Sequence, residues 1–128
     1  MGFIKTNLKD AYIFEPKVFG DHRGFFMETY NEKMFEEAGL SFNFIQDNHA
    51  MSAEAGTLRG LHFQLEPYAQ TKLVRVIRGA VYDVIVDIRE GSPTYGQWEG
   101  FILSEENKRQ LLVPQGFAHG YCTLTKNT

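Results

Sequence analysis

The 128-residue sequence is poor in several things, and each shortage excludes a class of protein. It has one cysteine, Cys122, so no internal disulfide can form, which fits a reducing, cytoplasmic compartment. It has no basic excess: 13 Lys+Arg stand against 16 Asp+Glu, a formal net charge of -3. A large nucleic-acid footprint, which needs cations to neutralise phosphates, is therefore not expected. No apolar run approaches the ~18 residues of a membrane span. The opening MGFIKTNLKDAYIF lacks the apolar stretch of a signal peptide. Four scattered prolines, with no repeat or low-complexity tract, mark no linker. There is no G-x-S-x-G, P-loop or Rossmann glycine pattern.

What the chain does have is hydrophobic and aromatic residues, 43% and 14% of the total. That is enough to build one core without a disulfide or metal staple. The apolar residues fall in short runs separated by turn residues. Strands are predicted over 11–15, 24–30, 42–50, 57–65, 71–78, 80–89, 98–103, 109–113 and 119–125. Gly79, between two of them, predicts a tight hairpin. One helix is predicted, with Asn31 as N-cap, Met34 and Phe35 as its apolar stripe and Gly39 as its stop. Many short strands and one short helix indicate an antiparallel, mainly all-β sandwich or barrel.

Alternation assigns faces. In 42–50, Phe42, Phe44, Gln46 and Asn48 share one face. In 80–88, Val81, Asp83, Ile85 and Asp87 share one, so Asp83 either looks into the barrel as a site residue or sits at an edge facing water. Arg59 and His62 point to opposite faces unless the strand bulges, and Gly60 is where a bulge is expected. Phe26, Glu28 and Tyr30 share a face, with Arg23 offset at Gly24.

His62 and Lys72, on successive strands, have the chemistry for proton abstraction beside a carbonyl. An imidazole takes the proton and an ammonium stabilises the enolate oxygen. The same residues also fit a core histidine and an exposed strand lysine. Arg23 and Arg59 carry the guanidinium fork that suits phosphate, and Phe26 is able to stack on a base or sugar. Equally, Phe25 and Phe26 fit as core aromatics and Arg23 as a surface charge. Cys122, within HGYCTL, reads as a buried structural thiol. The segment PQGFAH has the spacing of the second cupin motif, but position 64, where the first motif needs histidine, is Gln64. His62 and His119 alone fall short of a three-ligand metal site, so no metal is expected.

Taken together, FGDHRGFFMETY (19–30), FIQDNHAMS (44–52), GTLRGLHFQ (56–64), QTKLVRVIRGAVYDVIVDIR (70–89), SPTYGQW (92–98) and LLVPQGFAHGY (111–121) resemble the dTDP-4-dehydrorhamnose 3,5-epimerases. The resemblance implies a cupin-type jelly roll and a homodimer with exchanged N-terminal strands. It implies a cofactor-independent reaction that inverts carbons 3 and 5 of dTDP-4-dehydro-6-deoxy-D-glucose. By the matching positions, His62 is the proton acceptor and Lys72 lies near the keto oxygen. Substrate contacts are expected from Arg23, Phe26, Glu28, Gln46, Asp47, Asn48, Arg59 and His119, with Arg23 and Glu28 serving the partner's site. Asp83 is a candidate orienting residue. The family's proton-returning tyrosine and the aspartate behind its base histidine match no position here. Residues 1–128 are thus read as a single cupin-like domain, incomplete at its C-terminal end. Three alternatives stand beside the double epimerase: an epimerase acting at one carbon, a dTDP-sugar-binding module without turnover, and a metal-dependent cupin enzyme.

Overall fold

Strand β9 (Gln110–Val113) is buried along its whole length, because each of its faces carries a separate core. Leu111 and Val113 point one way, into a cluster with Leu8, Ala11, Ile13, Val81, Ile85, Leu103 and Phe117. Leu112 points the other way, into a cluster with Phe14, Phe35 and Leu40. Successive side chains of a strand point to opposite faces, so a strand buried on both reads as a continuous apolar run.

The computed structural model describes residues 2–128. Besides β9, its strands are β1 (Gly2–Lys5), β2 (Tyr12–Glu15), β3 (Val18–Asp21), β4 (Gly24–Met27), β5 (Leu58–His62), β6 (Lys72–Arg75), β7 (Ala80–Asp87), β8 (Trp98–Ser104) and β10 (Phe117–Thr123). One antiparallel sheet has the order β1-β2-β9-β6 and faces a second, β5-β10-β7-β8. The first cluster lies between these sheets, with Ile13, Leu111 and Val113 from one and Val81, Ile85, Leu103 and Phe117 from the other. The result is a cupin-like β-sandwich. Strands β3 and β4 pair only with each other, as a hairpin on which Phe19, Phe25 and Phe26 are exposed.

Helix α1 (Glu32–Glu37) covers the outer face of the first sheet. Asn31 caps it as expected, its side-chain oxygen accepting from the Met34 amide at 3.1 Å. Phe35 fills the outer cluster, packing against Phe3, Phe14 and Tyr30. Gly39, at φ 78°, ends the helix.

Two expectations are corrected. Gly79 closes no hairpin, because β6 and β7 lie in different sheets. Its φ of 84° turns the chain at a corner of the sandwich, and its carbonyl accepts from the Glu105 amide at 2.9 Å. Residues 42–50 form no strand. Their alternation is real but records packing, since Phe42 and Phe44 sit against the outer cluster while the backbone has no strand partner among the described residues. Smaller departures are the ends of β4 at Met27, β5 at His62 and β6 at Arg75, rather than at residues 30, 65 and 78, and the strands β1 and β3, which lie outside every predicted run. Cys122 is half-buried rather than buried, on the outer face of its sheet opposite Leu58 and Tyr82.

Candidate active site

The site is assembled at one end of the sandwich interior. On β10, Phe117, His119, Tyr121 and Thr123 alternate inward. On β7, Val81, Asp83, Ile85 and Asp87 do the same, which settles the two readings of Asp83: its residue is 0% exposed and faces inward. Register sets Asp83 opposite Tyr121 and Ile85 opposite His119.

On β5, His62 pairs with His119 and Arg59 with Tyr121, so three steps along β5 match two along β10. The extra residue is the bulge expected at Gly60. Because His119 and Tyr121 share a face, so now do His62 and Arg59. Gly60 has φ 105° and lies against the partner strand so closely that an added Cβ would stand 2.6 Å from the His119 carbonyl oxygen. Only glycine meets both requirements. The Arg59 side chain is anchored by Nε donating to Ser52 Oγ at 3.3 Å. Ser52 is a buried residue that nothing in the sequence pattern singled out.

Lys72 comes from the facing sheet. It opposes Val113 and alternates with Leu73, which packs outward, so it projects into the sandwich with Val74. The chain thus gathers His62, Lys72, Asp83 and His119, with Arg59 beside them. The His62 and His119 rings are 6.1 Å apart between centroids. Both oxygens of Asp83 lie 2.9 Å from His119 Nε2, so the side chain that Asp83 is bonded to is His119.

The electrostatics follow from this packing. Partial desolvation of the ring, then the charges of Lys72 and His119, hold His62 below the usual imidazole value and favour its free-base form. Burial pulls Lys72 down, while the Asp83 charge works against that. Burial pushes Asp83 up, opposed by the His119 hydrogen bond and charge and by Lys72. Among the described residues, no three His, Cys, Asp or Glu side chains gather as a metal site.

The remaining expected contact residues lie elsewhere in this chain. Arg23 is exposed on the β3–β4 turn, paired with Asp21 at 2.6 Å. Phe26 lines a hollow of about 330 Å³ with Arg75, Ile77, Lys108 and Gln110, none of them site residues. Glu28 and Asp47 are exposed, as are Gln46 and Asn48, which bond to each other at 3.1 Å. Among the described residues, none of these six makes a hydrogen bond or ion pair with His62, Lys72, Asp83 or His119.

Comparison with known proteins identifies the family. The sequence profile described as dTDP-4-dehydrorhamnose 3,5-epimerase matches residues 5–128. The Shigella flexneri protein of that name is 64% identical over 126 residues, 98% of this chain and 69% of that protein. The crystal structure of the Bacillus anthracis enzyme with TDP and PPi bound superposes with a TM-score of 0.95 at 61% identity, covering 98% of this chain and 71% of that one. A Legionella pneumophila structure in complex with dTDP-4-keto-L-rhamnose gives a TM-score of 0.92 at 52% identity, covering 98% and 66%. The chain spans about two thirds of the length of the curated relatives it matches. A profile matched over nearly the whole chain, these identities and the shared fold agree: the chain belongs to the dTDP-4-dehydrorhamnose 3,5-epimerase family, isomerases of dTDP-rhamnose biosynthesis.

Proposed function

We propose that the chain epimerises dTDP-4-dehydro-6-deoxy-D-glucose at carbons 3 and 5, with His62 as base and Lys72 as enolate stabiliser. The observation that carries the reading is the bulge at Gly60, which turns His62 and Arg59 to the same inward face that Lys72 meets from the opposite sheet. The keto group at carbon 4 acidifies the hydrogens on carbons 3 and 5. His62, uncharged, takes one of these protons. The electron pair moves onto the carbon 4 oxygen, and the Lys72 ammonium stabilises the charge that develops there. Return of a proton to the opposite face of the same carbon inverts it. No residue of this chain is assigned that last step. Arg59 suits the diphosphate, since its guanidinium fork matches phosphate oxygens.

The exposed hairpin β3–β4 supports a homodimer whose arms reach the partner's site, bringing Arg23, Phe26 and Glu28 to the substrate. Mixing inactive His62→Ala and Arg23→Ala proteins then restores part of the activity, because a mixed dimer holds one intact site. A mixture no more active than its parts refutes the shared site.

The test of the chemistry is proton exchange. The chain is incubated with the substrate in deuterated water and carbons 3 and 5 are followed by NMR. Deuterium at both, with product, is expected. His62→Ala abolishes exchange while dTDP still binds. Deuterium at one carbon means a single-carbon epimerase, and binding without exchange means a binding module. Equal exchange by wild type and His62→Ala removes His62 as the base.

A further inference from the structure

The fold buries two carboxylates completely on one strand face, and they are treated very differently. Asp87 is surrounded by donors: Arg89 Nε at 2.9 Å, the Arg89 amide at 3.1 Å, and the Ser92 and Thr94 hydroxyls. Asp83, equally buried, has one hydrogen-bond partner among the described residues, His119 Nε2. A lone buried acid is a poor device for stability, since apolar replacements usually serve better. The residues that face it from β5, β6 and β10 are polar. His119 and Tyr121 face it from β10, His62 and Arg59 lie beyond them on β5, and Lys72 comes from β6 across the interior. Its partner on β8 is the uncharged Phe101.

We infer that Asp83 is a positioning residue of this site, holding His119 through Nε2 and serving as the buried counter-charge of the Lys72 ammonium, an inference that rests on the roles given to His62 and Lys72 above. Nε2 of His119 donates to the carboxylate, which fixes one tautomer and leaves Nδ1 as an acceptor. Lys72 is drawn toward the neutral amine by burial, and Asp83 is the charge that opposes it. An ionised Asp83 and a protonated Lys72 sum to zero, so the pair adds no net charge to the site. Without Asp83, Lys72 keeps the partial burial that draws it down and loses the charge that opposes it. An unprotonated Lys72 cannot stabilise an enolate.

The experiment is nitrogen- and carbon-detected NMR of the labelled 128-residue chain through the neutral and alkaline range. In wild type, the Asp83 carboxyl carbon reports an ionised group at neutral pH, and His119 shows the Nε2–H form. In Asp83→Asn, which preserves shape, Lys72 loses its proton at lower pH than in wild type, and the His119 tautomer is no longer single. The alkaline limb of the exchange rate moves to lower pH with it, a shift that a merely structural role would not produce. Lys72 titrating identically in both proteins overturns the inference. So does a protonated Asp83 in neutral wild type, a measurement that does not require the variant to fold. A wild type that exchanges neither carbon refutes the epimerase reading and leaves the Lys72 shift standing.

Discussion

Replacing Gly60 with alanine separates two costs that the bulge imposes. The first is conformational: a side chain at φ 105° sits in a region that costs roughly 1–3 kcal/mol. The second is steric. The new Cβ would lie 2.6 Å from the His119 carbonyl oxygen and 2.7 Å from the Gly120 Cα, and both are backbone atoms that no rotamer change can move. Strands β5 and β10 must part by several tenths of an ångström, weakening ladder hydrogen bonds worth about 1 kcal/mol each. Together the expected loss is about 2–5 kcal/mol. Gly56→Ala is the control, because Gly56 has φ 81° but nothing within 4 Å of an added Cβ. It carries the conformational cost alone, about 1–2 kcal/mol. Urea unfolding of the two variants measures the difference, and resonances of His62 and His119 report whether the loss is centred on the bulge. If Gly60→Ala is no more destabilised than Gly56→Ala, the close approach of the strands is not what glycine serves there.

Further outcomes follow from other parts of the molecule. Asn31→Ala removes the cap of α1 and should cost about 1 kcal/mol in chemical denaturation; no change would mean the Met34 amide finds water equally well. Burial by itself would raise Asp87, but the hydrogen bonds from Arg89, Ser92 and Thr94 together outweigh it and hold the carboxyl well below its usual range. Stability from this group is therefore complete above the ordinary carboxylate value of 3.8 and declines only as pH falls below it. Arg89→Met leaves that carboxylate buried without its cation, costing about 3–5 kcal/mol, and circular dichroism should show acid unfolding beginning at higher pH than in wild type. Because His62 is held below 6.5, the acid limb of proton exchange should lie below that value, and a limb above it would mean that another group sets the limb.

How much of this was written in the sequence differs element by element. The capped helix was legible because capping is local: Asn31, Phe35 and Gly39 act within a few residues of one another. Strand β7 was legible because alternation with one buried face leaves a period in the chain, and β9 because burial on both faces leaves a continuous apolar run. The sandwich corner at Gly79 was not, since a glycine at positive φ between two apolar strands looks the same whether the strands pair or part into separate sheets. Only the partners decide, and two of them are remote in the chain: β9, which pairs with β6, begins 35 residues after β6 ends, and β10, which pairs with β7, begins 30 residues after β7 ends. The region 42–50 failed for a related reason: its aromatic period of two records the packing of Phe42 and Phe44 against the outer cluster, not a ladder.

The site shows the same division between local and remote information. The bulge was readable from Arg59, Gly60 and His62 alone, since a glycine inside a strand between two polar residues on opposite faces has few other uses. Alternation from His119 also places Tyr121 on the site face. What no local pattern contains is which acid meets which base. Asp83 stands 36 positions from His119, and the pairing depends on the β7–β10 register, which the core sets by burying Ile85 and Phe117 together. A one-residue slip of that register would turn every inward side chain of one strand outward, moving Asp83 into solvent and the apolar set with it. The apolar residues that hold the sandwich together therefore also fix the charge arrangement of the site. Asp83 is held in a buried place that it would not occupy on its own account, and Lys72 and His119 oppose the rise that burial imposes on its carboxyl.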